Sequence, residues 1–135
     1  MLDMKGYFGN IEELTENNQN FRQVLYTAKN CQLVLMSLKP KEEIGMEVHE
    51  NGDQFFRFEE GEGKVIIDGN EHMVHEGDAI IVPQGAEHNV INTSDSEDLK
   101  LYTIYAPPHH MDQIVRATKE EAEKDPPEFD GKTTE

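Results

Sequence analysis

The chain has 135 residues, of which 28 are acidic and 12 are basic, so its formal net charge is −16. Such a surface repels nucleic-acid phosphates and anionic membranes, and we therefore expect neither as a partner. The length fits one domain that buries a core without disulfide staples.

The single cysteine, Cys31, excludes an intramolecular disulfide framework. It begins the apolar run CQLVLMSL, so we expect it to be a buried packing residue. No apolar run approaches the roughly 20 residues that a membrane-spanning helix needs. The N-terminal sequence MLDMKGYFGN lacks the apolar centre of a signal peptide, so we expect a cytoplasmic protein.

The elements change character along the chain. The first twenty residues are polar, and residues 11–16 are predicted to form a short helix or turn. From residue 21 onwards, short β-rich segments alternate with turn signals. The DGN turn at Asp68 lies between KVII and EHMV, and Asp-Gly between such runs is a strong hairpin signal. Roughly eight to ten closely spaced strands predict an antiparallel sandwich or barrel.

The sequence becomes polar again after Pro108. MDQIVRATKEEAEKD is predicted to form a helical turn, with Thr118 as its N-cap. The last residues, DPPEFDGKTTE, are expected to be a flexible tail. The predicted organisation is therefore an N-terminal extension over residues 1–20, a barrel over residues 21–108, and a helical turn with a tail over residues 109–135.

One stretch carries a specific spacing. GDAIIVPQGAEHNVIN places its fixed residues at Gly77, Pro83, Gly85, His88 and Asn92. Proline ends the strand AIIV because it cannot donate a ladder hydrogen bond, and the turn that follows brings the histidine to the start of the next strand. This stretch resembles the second cupin motif, G-x5-P-x-G-x2-H-x3-N, at every fixed position.

The resemblance covers residues 21–108 and implies an all-β fold. The expected architecture is a double-stranded β-helix (jelly-roll) cupin barrel with short terminal helical segments. The chain resembles the small single-domain cupins, or monocupins. Among these it is similar to the sugar-related ones, which are likened to mannose-6-phosphate isomerase or belong to pectin degradation.

The first cupin motif, G-x5-H-x-H-x3,4-E-x6-G, matches only in part. Measured back from Gly61, its glutamate position is Gln54 and its second histidine is His49. Glu47 stands at the first histidine position, and Lys41 at the leading glycine. The spacing is retained while two ligand positions differ.

The resemblance therefore implies a metal-ligand set of Glu47, His49, Gln54 and His88. Two imidazoles with oxygen ligands suit one divalent transition-metal ion such as Zn, Mn, Fe or Ni. Both replacements can still coordinate, and a buried, unpaired Glu47 carboxylate would be costly without a cation. The alternative is a barrel that has lost its metal.

Four further residues are candidates for the pocket. Phe56 and Phe58 share strand parity with Gln54, so they line the cavity or pack in the core. One tyrosine of LKLYTIYAPP can reach the pocket as an acid or hydrogen-bond donor, and we assign Tyr102. His109 follows APP, near the expected mouth of the barrel.

The resemblance favours a metal-dependent enzyme that acts on a small sugar, a uronate or a related carbonyl compound by isomerisation or ring opening. Pectin-degradation cupins use glutamine at the position of Gln54 but histidine at that of Glu47. The alternatives are a metal-dependent dioxygenase and a non-catalytic barrel that binds a small ligand. We also expect a homodimer, with residues 20–39 in its interface.

Overall fold

The structure is a computed structural model that describes residues 3–135. Within that range it contains ten strands and two short helices. In chain order they are α1 (Ile11–Asn17), β1 (Arg22–Thr27), β2 (Gln32–Leu38), β3 (Glu47–Val48), β4 (Asp53–Glu60), β5 (Glu62–Ile67), β6 (Asn70–His75), β7 (Ala79–Val82), β8 (Glu87–Asn92), β9 (Leu99–Ala106), β10 (Val115–Arg116) and α2 (Lys119–Lys124).

The strands form two antiparallel sheets. One has six strands in the order β10-β1-β2-β9-β4-β7, and the other has four in the order β3-β8-β5-β6. Buried apolar side chains from both sheets form one core, which includes Val34, Phe58, Val65, Val90 and Leu101. The predicted all-β, double-stranded β-helix fold is confirmed.

Strand alternation decides which side chains enter the barrel. On β9, Leu101, Thr103 and Tyr105 are buried, whereas Tyr102 and Ile104 are only half-buried. Cross-strand neighbours share a face, and Tyr105 pairs with Gln32 on β2 and with Gln54 on β4. One interior row of the larger sheet therefore has Tyr105 at its centre, with the buried amide of Gln32 on one side and that of Gln54 on the other.

Two turns follow from local chemistry. Asp68 and Gly69 connect β5 and β6 with φ values of 46° and 82°, and positive φ at both central residues is the requirement of a type I′ hairpin turn. The predicted hairpin is confirmed by the pairing of Ile67 with Asn70. Lys41, at the leading glycine position of the first motif, also has a positive φ of 65°.

The predicted terminal helices form. The Asn10 side chain accepts from the Glu13 N–H at the start of α1, and the predicted Thr118 N-cap accepts from the Glu121 N–H at the start of α2. Both caps satisfy an amide that lacks an intrahelical partner. No helix among residues 3–135 combines the length and the apolar character that crossing a membrane requires.

Two expectations about individual segments differ from the structure. Cys31 is exposed rather than buried, because it lies in the β1–β2 turn before the inward-facing Gln32 begins β2. The C-terminal tail is hydrogen-bonded to the rest of the chain rather than free. The Phe129 N–H donates to the His109 carbonyl, and the Thr134 N–H donates to the Thr27 carbonyl.

Candidate metal centre

Three side chains that can ligate a metal meet at the open end of the barrel. Glu47 begins β3 and His49 follows its end, so the two project to the same side. Glu47 also pairs across the ladder with His88 on β8. One ligand atom from each of Glu47, His49 and His88 lies within 4.8 Å of the others. These are three of the four side chains that the motif resemblance implied.

The surroundings of His88 favour a tautomer that can bind a metal. Its ring is buried, and its Nδ1 lies 3.3 Å from the Ala86 carbonyl oxygen. A carbonyl only accepts, so this contact favours the proton on Nδ1, which leaves the lone pair of Nε2 for a metal. Ligating histidines in proteins are oriented in the same way, through the nitrogen that does not bind the metal.

The fourth candidate, Gln54, is buried on β4 with 3% of its surface exposed. Its Nε2 donates to Thr103 Oγ1 at 3.0 Å. Its Oε1 is buried without a hydrogen-bond partner in the part of the chain that the structure describes. The buried Nε2 of His49 makes no well-aligned hydrogen bond there either, although it lies 3.2 Å from Glu47 Oε2. Buried polar atoms are seldom left in this state because each loses its hydration. Both orphaned atoms are metal-ligand types, so the residues fit a divalent ion.

The charge states also suit a cation. Burial would raise the pKa of Glu47, but its contact with His49 and the charges of His49 and Arg22 outweigh burial and lower that pKa below its ordinary value. Burial lowers the pKa of His88. Near neutral pH the site therefore presents a carboxylate beside a neutral imidazole, which are the forms that bind metals.

A cavity of about 320 Å³ opens beside His49, between the loop after β3 and the segment after β9. Gly52 allows these two segments to meet, because a Cβ there would lie 2.3 Å from the Ala106 carbonyl oxygen. The loop is fixed by Gln84, whose N–H donates to Asp53 at 2.8 Å and whose Nε2 donates to the Glu50 carbonyl at 2.7 Å. Hydrogen bonds therefore hold the backbone of the loop that forms the cavity mouth.

His109 lines this cavity with Tyr105. The ring of His109 lies 4.6 Å from that of His49 and stacks on Tyr105 at 5.2 Å, measured between ring centroids. The fully buried Gln32 fixes the backbone here, because its Oε1 accepts from the N–H groups of His109 and His110 at 3.2 and 3.0 Å. His109 therefore lines the mouth of the cavity, and its role as a pocket residue stays a prediction.

The other pocket candidates lie elsewhere. Tyr102 points out of the barrel towards Phe55, with the ring centroids 6.2 Å apart; the tyrosine that faces the site is Tyr105, because β9 turns its odd-numbered residues inward. Phe58 is completely buried in the core. Phe56 lies beneath the site, 6.2 Å from the His88 ring, and does not line the mouth cavity.

Sequence reasoning missed three residues near the site, namely Gln32, Tyr105 and Arg22. Arg22 is 8% exposed and its Nε has no hydrogen-bond partner within residues 3–135. Its charge acts on Glu47 and Tyr105. The sequence offered one signal for these residues, a glutamine and an arginine at inward positions of otherwise apolar strands. Polar side chains are seldom buried unless they have a structural or functional role.

Comparison with known proteins agrees with the motif resemblance. The family model described as a cupin domain matches residues 34–105. The uncharacterised protein YrkC of Bacillus subtilis strain 168 is 45% identical over 124 residues, which are 87% of this chain and 66% of that protein. The uncharacterised protein L612 of Acanthamoeba polyphaga mimivirus is 44% identical over 107 residues, 77% of this chain and 67% of that protein. The chain thus spans about two thirds of the length of these curated relatives.

A solved structure shows the same architecture. The crystal structure of BH2720 from Bacillus halodurans superposes with a TM-score of 0.87 and 40% identity, covering 90% of this chain and 96% of that one. The similarity therefore includes the terminal segments as well as the barrel.

Proposed function

We propose that this chain, which belongs to the cupin family, binds one divalent transition-metal ion and acts there on a small carbonyl compound. The ion would be held by Glu47, His49, Gln54 and His88. The substrate class is a small sugar, a uronate or a related carbonyl compound, and the reaction is an isomerisation or a ring opening. A bound ion of this kind polarises a carbonyl oxygen or holds a water.

One observation carries the proposal. Gln54 Oε1 is buried and lacks a hydrogen-bond partner within residues 3–135. His49 Nε2 makes no well-aligned hydrogen bond there either, although it lies 3.2 Å from the half-buried Glu47 carboxylate. A divalent cation would satisfy both atoms and compensate the Glu47 charge in one step. An apolar filler would leave the Gln54 oxygen unpaired.

The mouth residues support action on a small polar molecule. The cavity of about 320 Å³ lies at the low end of the range for small-molecule sites. His109 and Tyr105 line it next to His49, so they can donate hydrogen bonds to a ligand that reaches the ion. Pro107 and Pro108 also line the cavity, and their rigid rings limit the ligand's size.

The test is a reconstitution assay on the full chain. Protein stripped with a chelator is loaded separately with Zn, Mn, Fe or Ni and given aldoses, ketoses and unsaturated uronates, with products followed by NMR. The proposal expects turnover with at least one metal and none in His49→Ala. Turnover that is the same in His49→Ala, or no turnover and no ligand binding with any metal, would contradict it.

A second candidate function is dioxygenation, and the ligand composition favours it specifically. Glu47, His49 and His88 are two imidazoles with one carboxylate, which is the composition of non-haem iron sites. Oxygen uptake by the iron-loaded protein in the presence of a substrate, absent with zinc, would favour this reaction. Ligand binding by the loaded protein without turnover would identify a non-catalytic barrel instead.

We also propose that the chain forms a homodimer through the outer face of the larger sheet. Leu33, Ile104, Phe55 and Ile81 form one outward row across β2, β9, β4 and β7, and Ile81 is 66% exposed. The row includes part of the predicted interface, residues 20–39. Light scattering at micromolar concentration should give a dimer mass for wild type and a monomer for Ile81→Lys; a wild-type monomer would exclude it.

A further inference from the structure

Two buried glutamines share the interior row with Tyr105, and they differ in how their amides are satisfied. Both ends of the Gln32 amide are hydrogen-bonded. Its Nε2 donates to Thr27 Oγ1 and to the His110 carbonyl at 2.9 and 2.7 Å. Its Oε1 accepts two backbone N–H groups. Gln54 also contacts a buried threonine, Thr103, but its oxygen has no partner in the described part of the chain.

The threonine decides which end of the Gln54 amide is free. A hydroxyl has one proton, and Thr103 Oγ1 gives it to the Phe55 carbonyl at 2.8 Å. Thr103 can therefore only accept from Gln54, so the amide nitrogen must lie on its side, at 3.0 Å. The amide oxygen then points away from Thr103. The Thr103 hydroxyl therefore fixes an amide orientation that the atom positions alone would leave ambiguous.

We propose that Thr103 is a positioning residue of the metal site, because its hydroxyl orients the Gln54 amide so that the oxygen faces the ion. This inference rests on the proposed function, since it assigns Gln54 as a ligand. Without the hydroxyl, the amide would lose the partner that holds its nitrogen and would present either end to the site. Only one of those ends can coordinate a cation.

The substitution Thr103→Val removes the hydroxyl at nearly constant volume. We expect it to weaken metal binding by about tenfold to a hundredfold, the usual cost of losing an outer hydrogen bond to a ligand. Thr27→Val is the matched control, because Thr27 is equally buried and contacts Gln32, whose amide keeps three other hydrogen bonds. Affinity is measured by competition between the protein and a chelator for Co(II) and Zn(II), and the Co(II) absorption spectrum reports the ligand set.

Repeating Thr103→Val in a Gln54→Glu protein separates an effect on the orientation of the Gln54 amide from a general loss of protein stability. In Gln54→Glu, both side-chain oxygens can coordinate, so no outer group is needed to choose between them. Thr103→Val should therefore weaken metal binding in the Gln54 protein and have little effect in Gln54→Glu. An equal loss in both backgrounds would indicate a structural role and overturn the inference.

The outcomes for the two proposals are distinguishable. If wild type binds no metal, the proposed function and this inference both fall. If wild type binds metal and Thr103→Val matches Thr27→Val, only the inference is overturned.

Should Thr103→Val fail to fold, Thr103→Ser and Thr103→Ala provide the same comparison. The serine variant should keep the wild-type metal affinity and Co(II) spectrum, and equal losses in both variants would contradict the orienting role.

Discussion

The two ends of β8 are both polar and buried, yet they are satisfied in opposite ways. Asn92, at the end of the strand, donates to the carbonyls of Leu38, Lys39 and Glu97 and accepts from the Ser94 N–H. His88, near its start, lies beside Glu47 and His49. At this end His49 Nε2 has no well-aligned hydrogen bond and the buried Gln54 Oε1 has no partner within residues 3–135.

The difference separates two uses of one sequence motif. The Asn92 end is complete from the chain's own atoms, so it stabilises the fold whether or not anything is bound. The His88 end is incomplete, and an incomplete buried network is costly unless a ligand finishes it. Equal burial therefore does not imply equal roles, and the unpaired atoms identify the functional end.

The largest effect is expected at the satisfied end. Asn92→Ala leaves three carbonyls that accepted from one amide, and we expect the free energy of unfolding to fall by about 3 kcal/mol. Urea titrations with metal and with chelator should show the same loss. Asn70→Ala, at an exposed turn with one side-chain hydrogen bond, is the control and should change stability by less than about 1 kcal/mol. A loss that appears only with metal would place Asn92 in the metal site.

At the incomplete end, Glu47→Gln should act mainly on the metal-bound protein. The metal-free variant should be slightly less stable than wild type, because the lowered pKa of Glu47 means that the folded chain favours its carboxylate form. Wild type should gain about 2.7 kcal/mol when free metal is about 100 times the Kd, and the variant should gain far less. Thermal melts with and without metal measure this. The neighbouring exposed Glu50→Gln is the control, and equal metal stabilisation in both variants would exclude Glu47 as a ligand.

A pH dependence should arise beside the site. Burial, with a smaller contribution from Arg22, lowers the pKa of His110 from 6.5 to about 2. The unfolded chain therefore binds more protons than the folded chain between these values, so stability is highest above pH 6.5 and falls as the pH decreases. From pH 7 to pH 5, this histidine alone should cost about 2 kcal/mol.

The substitution His110→Gln isolates that effect. Its stability should decrease less steeply between pH 7 and pH 5 than that of wild type, by about 2 kcal/mol, in urea titrations with chelator. His72→Gln, which changes an exposed histidine, should keep the wild-type slope. An unchanged slope in His110→Gln would mean that His110 is not held neutral by burial.

The smallest effect is expected at Cys31, outside both ends of β8. Because Cys31 is exposed, Cys31→Ser should change the free energy of unfolding by less than about 0.5 kcal/mol. A larger loss in a urea titration would restore the packing role that its apolar sequence context indicated.

The fold could be predicted because its signals are local. The motif from Gly77 to Asn92, the Asp-Gly hairpin turn and the Thr118 cap each depend on neighbours in sequence. The implied ligands Glu47, His49 and His88 meet because motif spacing fixes strand and turn lengths. The residues that the sequence did not identify are those whose position depends on cross-strand register. Tyr102 was chosen over Tyr105 because alternation alone does not say which face of β9 is buried.

The proposed metal site at the incomplete end of β8 can be tested by plasma mass spectrometry of untagged protein beside the Glu47→Ala/His49→Ala double variant. We expect about one transition-metal ion per chain in wild type and near none in the variant, as for a single-ion site of four ligands. Wild-type protein that holds no metal even after reconstitution, or a variant that holds as much as wild type, would contradict it.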